Sequence, residues 1–358
     1  MFVARLNAVA TTPTTEFDTA VLDAFLRDRI PGLQGAMRLE RIGGGQSNPT
    51  WFVSFDNREL VLRKQPVGTL LPGAHAVDRE ARVMQALAGT DLLVPRVVLF
   101  HAGRDVVGTP FYVMERLAGR VFADCALPGM APPERRAVYL AMAESRARLH
   151  RVDWQGAGLA DYGRPGGYFT RQISRWSRQW ALSRTRENPD IETLCAWLPA
   201  HLPDERETTI CHGDFRLGNL MFHPTEPRVV AVLDWELSTL GHPLADASFN
   251  AMAWRTLPSE YGGLLGLDLP ALGIPSEAEY LRHYCLAAGR RDGVTAFHFA
   301  FSLFRMAVIF EGIAARAAAG NAVADNAGEV GTLAAAFAHR AMEFVRGEAS
   351  VAALELAG

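Results

Sequence analysis

Residues 212–219, His-Gly-Asp-Phe-Arg-Leu-Gly-Asn, constrain this chain of 358 residues more than any other stretch. They lie between two short apolar runs, Thr209-Ile210-Cys211 and Leu220-Met221-Phe222. A third run, Val229 to Leu233, ends on Asp234. Short apolar runs bounded by turn residues read as strands. Two carboxylates and an amide therefore sit on or beside neighbouring strands. Asp and Asn near a turn are ordinarily just turn formers. The fixed spacing from Asp214 to Asn219, the apolar flanks and the strand-terminal Asp234 set this group apart. Its chemistry is that of hard oxygen ligands for a cation such as magnesium, together with a carboxylate able to accept a hydroxyl proton.

His-x-Asp-x-x-x-x-Asn followed by a strand-terminal Asp resembles the catalytic loop and metal site of kinase-like phosphotransferases. The resemblance implies Asp214 as the base that takes the attacking hydroxyl's proton. It implies Asn219 and Asp234 as the magnesium ligands.

Composition narrows the classes that remain. A chain of this length holds one large or two ordinary domains with substantial cores. The 49% hydrophobic and 21% charged residues are those of a soluble globular protein. A net charge of −3 points to neither nucleic acid nor a membrane surface as a partner. Cys125, Cys195, Cys211 and Cys285 form no Cys-x-x-Cys pair, so reduced thiols in a cytoplasmic protein are expected instead of a disulfide or zinc framework. The N-terminus lacks the apolar core and cleavage signature of a secretory signal. The most apolar stretch, Ala296 to Ala319, contains Arg305, Glu311 and Arg316, so no charge-free run reaches the length of a membrane span. Lys64 is the only lysine.

Along the chain, Phe17, Val21, Leu22, Phe25 and Leu26 recur at helical spacing, which predicts a helix near 16–29 that stops at Pro31-Gly32. Strand-like alternation follows over 37–42 and 51–55, joined by Gly43-Gly44-Gly45-Gln46-Ser47-Asn48. By itself such a glycine turn is an ordinary hairpin. Its place upstream of the catalytic pair promotes Gly44, Gly45, Ser47 and Asn48 to a nucleotide loop, whose backbone N–H groups can approach phosphates closely. The next strand, Leu60 to Lys64, ends in two cations on opposite faces. Only one can face a cleft; Arg63 is favoured and Lys64 is the alternative. A helix near 76–88 carries Glu80, the carboxylate that would orient that cation. Strands over 94–100 and 110–115 complete a small antiparallel sheet. Residues 116–119 then link to a helical region that opens with a long helix over 133–151. His150 near its end reads as a capping or core residue. A further helix with a basic face spans Arg171 to Arg186. After the central motif the chain is expected to be helical to a frayed tail near 350–358.

Together these runs resemble the aminoglycoside phosphotransferase and choline kinase-like superfamily over about 16–345. The match is carried by Gly43-Gly44-Gly45-x-Ser47-Asn48, Val61-Leu62-Arg63, Asp78-Arg79-Glu80, Met114-Glu115-Arg116-Leu117, the 212–219 motif and Leu233-Asp234-Trp235-Glu236. It implies an α+β, bilobal, protein-kinase-like fold. Residues 1–116 would be a nucleotide-binding lobe with a small antiparallel sheet. Residues 117–358 would be a larger, mainly helical, catalytic and substrate-binding lobe. ATP and magnesium (Mg2+) would occupy the cleft, with the adenine on the Glu115 carbonyl and the Leu117 N–H. Asp246 would brace the catalytic loop. The stretch 210–250, with 74–80, looks like the subgroup whose kinase-like domain is in some proteins fused to an acyl-CoA dehydrogenase. Two departures stand out. Arginine replaces the usual strand lysine, and Asp246 follows Asp234 by only twelve positions, too few for a protein kinase's activation segment.

The expected acceptor is therefore a small-molecule hydroxyl, handled by a monomer or homodimer. Residues 162–186 hold six arginines and no acid; residues 281–320 hold five arginines against Asp292 and Glu311. If those helices line the acceptor pocket, they suit an anion such as a hydroxyacyl-CoA, and not a polycationic aminoglycoside. Otherwise the arginines solvate outer helix faces. The rival function is a pseudokinase-like module that binds a nucleotide or acyl ligand without turnover.

Overall fold

The computed structural model describes residues 9–10, 16–43, 48–68, 75–318 and 327–351. The first part is built on a six-stranded sheet in the order β1-β2-β3-β4-β6-β5. Its strands are β1 (Val9–Ala10), β2 (Arg38–Ile42), β3 (Thr50–Phe55), β4 (Arg58–Lys64), β5 (Val97–His101) and β6 (Phe111–Glu115), with every neighbouring pair antiparallel. Helix α1 (Thr19–Arg29) begins where the Asp18 carboxylate accepts the Ala20 and Val21 N–H groups, as an N-cap should. Leu22 and Leu26 of α1 pack on Leu60 and Leu62 of β4 and on Phe111 and Val113 of β6. Helix α2 (Val77–Leu87) covers the opposite face through Ala81 and Met84, on the side of Tyr112. Strand alternation thus sends Leu62 and Lys64 to the α1 side, and Val61 and Arg63 to the α2 side.

Beyond residue 116 the chain is mainly helical. In order come β7 (Arg120–Val121), α3 (Pro132–His150), α4 (Tyr168–Ser183), α5 (Pro189–Ala200), β8 (Thr209–Cys211), β9 (Leu220–Phe222), β10 (Val229–Val232), β11 (Thr239–Gly241), α6 (Pro243–Ala251), α7 (Leu269–Leu272), α8 (Glu277–Ala288), α9 (Ala296–Ala318) and α10 (Ala327–Val345). The architecture is α+β. Two small sheets, β10-β9-β7 and β11-β8, frame the loop between β8 and β9. Helix α9 runs through the core, touched by α4, α5, α6 and α10. By length and composition α9 could cross a membrane, yet 78% of its most apolar window is buried inside the protein.

Several elements differ from the sequence expectation. Helix α5 fills a stretch for which no element was anticipated; Pro189 opens it and Asn188 caps it, residues that also mark turns. The C-terminal region is not continuously helical, because 257–268 and 290–295 are irregular apart from short turns. The larger core reaches across residue 116: Val77, Met84 and Tyr112 belong to the same cluster as α3 and α9.

Candidate active site

The loop between β8 and β9 is held from below by a buried carboxylate. Asp246, in the first turn of α6, accepts the His212 N–H at 2.6 Å and the Gly213 N–H at 2.9 Å. Burial pushes this carboxyl upward, but His150 and the Gly213 N–H outweigh it and hold Asp246 below its ordinary value. His150 Nε2 lies 3.5 Å from Asp246 Oδ2, while its Nδ1 meets the Tyr284 hydroxyl at 2.7 Å. Gly213 has φ +82°, and a Cβ there would stand 2.5 Å from the Leu237 carbonyl oxygen. Only glycine fits.

His212 fastens the loop to the end of β10. Its Nε2 faces the Leu233 carbonyl at 2.8 Å, and its Nδ1 faces the Asp214 N–H at 3.2 Å. A carbonyl only accepts and an amide N–H only donates. The ring is therefore the neutral tautomer with its hydrogen on Nε2.

Asp214, Asn219 and Asp234 come together as the motif predicts. Asn219 Nδ2 donates to Asp214 Oδ2 at 2.8 Å and to the Asp214 carbonyl at 2.9 Å. Among the described residues this leaves the amide oxygen without a hydrogen bond. The Leu233 N–H donates to the Asn219 carbonyl at 2.8 Å, which sets Asp234 beside Asn219. Asp234 sits in the left-handed region at φ 63°, ψ 67°. A non-glycine there is strained, and such strain clusters at functional sites. Arg216 was quoted within the motif but given no role. Its Nε lies 3.2 Å from Asp214 Oδ2, so a cation rides on the same loop as Asp214.

From the opposite side, β4 and α2 deliver the charge pair. Arg63 Nε is 3.1 Å from Glu80 Oε2, and its Nη2 is 2.8 Å from Asp234 Oδ1 and 3.7 Å from Glu236 Oε2. Burial works against the guanidinium, yet Glu80 and Asp234 outweigh it and raise its pKa. Glu80 is 1% exposed and accepts from the Asn48 amide and, at 3.0 Å, from the Tyr112 hydroxyl. The Asn48 side-chain oxygen Oδ1 meets His75 Nδ1 at 3.1 Å. The Asn48 side chain thus props Glu80 and does not point at a phosphate.

Lys64 is the clear correction. Its side chain is fully buried on the α1 side, with Nζ 5.3 Å from the Phe17 ring centroid. Among the described residues it has no hydrogen-bond partner. Burial lowers its pKa, opposed by the charge of Glu16. Period-two alternation turns it away from the cleft as surely as it turns Arg63 toward it.

Gly44, Gly45 and Ser47 lie outside the described residues. Glu115 ends β6: its N–H donates to the Arg96 carbonyl at 3.0 Å, and its carboxylate pairs with Arg96. Leu117 follows in the irregular segment that leads to β7. Most C-terminal arginines do not converge on the loop. Arg171 holds the carbonyls of Arg164 and Gly166, Arg184 pairs with Glu192, Arg186 with Glu311, and Arg290 with Glu207 and Asp292. Arg164, Arg175, Arg178, Arg291 and Arg316 are exposed. Arg305 is the exception, donating to the Gly213 carbonyl at 2.9 Å.

No group of three or more His, Cys, Asp or Glu forms a metal cage among the described residues. Magnesium does not need one, since it binds through one or two protein oxygens plus waters and substrate phosphates. The Asp234 carboxylate and the Asn219 amide oxygen fit that demand.

Residues 38–289 match the family described as "Phosphotransferase enzyme family". Over 318 residues the chain is 44% identical to acyl-CoA dehydrogenase family member 10 of Mus musculus, covering 88% of this chain and 30% of that protein. Acyl-CoA dehydrogenase family member 11 of Homo sapiens is 39% identical over 319 residues, with 86% and 40% covered. The chain thus spans less than half the length of these curated relatives. A crystal structure from Ralstonia eutropha, of a protein proposed to be an aminoglycoside phosphotransferase, is 45% identical with a TM-score of 0.85, covering 92% of this chain and 99% of that one. The aminoglycoside phosphotransferase APH(4)-Ia, solved with AMP-PNP and hygromycin B, shares the fold at 16% identity and a TM-score of 0.58, with 89% and 98% covered. A matched loop, a kinase-like fold and relatives of this identity lead to one conclusion: the chain belongs to the phosphotransferase enzyme family.

Proposed function

We propose that the protein is an ATP- and magnesium-dependent phosphotransferase for the hydroxyl of a small anionic metabolite, such as a hydroxyacyl-CoA. One observation carries this: Asp214, Asn219 and Asp234 meet on one side of a cleft, and the Arg63–Glu80 pair reaches Asp234 from the other. Asp214 would accept the proton of an attacking hydroxyl. Arg63 presents a planar fork to phosphate oxygens, and Glu80, propped by Asn48 and Tyr112, fixes its direction. Asn219 and Asp234 would hold magnesium, which when bound neutralises charge on the phosphates. Catalysis on this plan is positioning and electrostatics.

The acceptor class draws support from Arg305 beside the catalytic loop, and from similarity to portions of proteins named acyl-CoA dehydrogenases. A polycationic aminoglycoside needs clustered carboxylates instead. The second reading, a binding module without turnover, is favoured by the hydrogen bond from Arg63 to Asp234, which occupies an oxygen that magnesium would use. The test is transfer of labelled γ-phosphate from ATP, with magnesium, to hydroxyacyl-CoAs, choline-like alcohols and kanamycin. Transfer to the hydroxyacyl-CoAs is expected; efficient phosphorylation of kanamycin contradicts the anionic acceptor.

A further inference from the structure

We propose that Arg305, assisted by Tyr261, is the specificity-determining residue of the acceptor site, reading an acyl oxygen close to the hydroxyl that is phosphorylated. This rests on the assignment of Asp214 as the base. Helix α9 is almost wholly apolar. Its other charges are engaged or outside: Glu311 accepts from the Thr185 N–H at 2.6 Å and from the Thr185 hydroxyl at 2.7 Å, and Arg316 is exposed. Arg305 alone turns toward the catalytic loop. Its guanidinium stands 5.3 Å from the Phe249 ring centroid and 5.9 Å from that of Trp176.

Half-buried among rings, Arg305 has no carboxylate within ion-pair distance among the described residues, while Arg216 is already tied to Asp214. A guanidinium withdrawn from water without an anion is costly. It has five N–H donors, and its bond to Gly213 uses one. The remaining donors suit an incoming oxygen. Tyr261 is a second polar group on this side: burial raises its phenol to about 12, with Asp214 pushing the same way and Arg216 and Arg305 opposing. Its backbone is held left-handed at φ 67°, and its ring leans on Phe310 of α9, 5.4 Å between centroids.

Arg305 binds the carbonyl of the residue just before Asp214, so a hydroxyl at Asp214 and an acyl oxygen on the free donors of Arg305 can belong to one small hydroxyacyl compound. A plain alcohol gains nothing from the guanidinium. Free hydroxy acids and acyl thioesters both carry the required oxygen.

Calorimetry with AMP-PNP and magnesium present tests this. The probes are β- and γ-hydroxybutyrate, their CoA thioesters, and the matching butanediols. The wild type should bind an acyl member at least about tenfold more tightly than its diol, the scale of one charge-assisted hydrogen bond. Arg305→Gln should abolish that preference, Arg305→Lys should keep part of it, and Tyr261→Phe should weaken it. AMP-PNP affinity should be unchanged in all three. Tighter binding of the free acids identifies hydroxy acids as the source of the oxygen, and of the thioesters, acyl-CoA. Equal or undetectable binding of all probes by the wild type, or a preference that survives Arg305→Gln, overturns the proposal. A purely structural Arg305 would weaken acyl and diol probes alike. Phosphate transfer measured in parallel separates the two claims. Preference without transfer sinks the kinase reading alone; transfer without preference sinks the subsite alone.

Discussion

At the scale of single residues, the cleft depends on which of two adjacent cations enters it. Arg63 bridges Glu80 and Asp234, whereas Lys64 is sealed against Phe17 on the far face of the sheet. Breaking a buried pair leaves the partner charge uncompensated, at about 3–5 kcal/mol. Arg63→Ala should therefore lower the melting temperature and weaken magnesium-ATP binding by tenfold or more. Lys64→Met should leave nucleotide affinity where it is. Calorimetric titration with AMP-PNP and thermal melting check both. The opposite facing of the two side chains was legible in the sequence from strand alternation alone. Which of them meets the cleft was not, because the sheet is covered on both faces by helices and both faces of β4 are apolar. The roles of Asn48 and Arg305 were also hidden, since each depends on a partner brought close only by the fold.

At the scale of elements, the loop that carries Asp214 is a strand-to-strand connection pinned by α6. Asp246 takes two consecutive N–H groups, and Gly213 must adopt a positive φ against the Leu237 carbonyl. Gly213→Ala places a Cβ where backbone already stands and forces a left-handed alanine, at about 1–2 kcal/mol for the conformation alone. Lower thermal stability and a drop in kcat larger than any change in nucleotide affinity are expected; steady-state kinetics beside AMP-PNP titration measures this. The strands that flank the loop were readable because short apolar runs between turn formers leave few alternatives. Their partners β7 and β11 were not, being two and three residues long. His150 was read as a capping or core residue; its approach to Asp246 spans two helices distant in sequence.

For the whole molecule, buried neutral histidines tie stability to pH. Burial lowers the pKa of His150, His242 and His298, the last to about 3. A group whose folded pKa is depressed binds fewer protons when folded, so its contribution is complete above the unfolded value of 6.5 and declines as pH falls below it. The melting temperature should drop between about pH 7 and 5, before carboxylates titrate, and His298→Asn should flatten that slope. An unchanged slope would remove His298 from the account. The family and the α+β fold were legible in one motif and its flanks, because phosphoryl transfer restricts which residues can stand at which spacing. Helix α5 and the packing around α9 were not, because they answer only to the core. The central claim is that Asp214 serves turnover and not nucleotide binding. Asp214→Asn, compared with wild type for γ-phosphate transfer and for AMP-PNP affinity, tests it most directly. Transfer should fall by about 10²- to 10⁴-fold with affinity kept. Undiminished transfer, or a wild type with no transfer to lose, would contradict it.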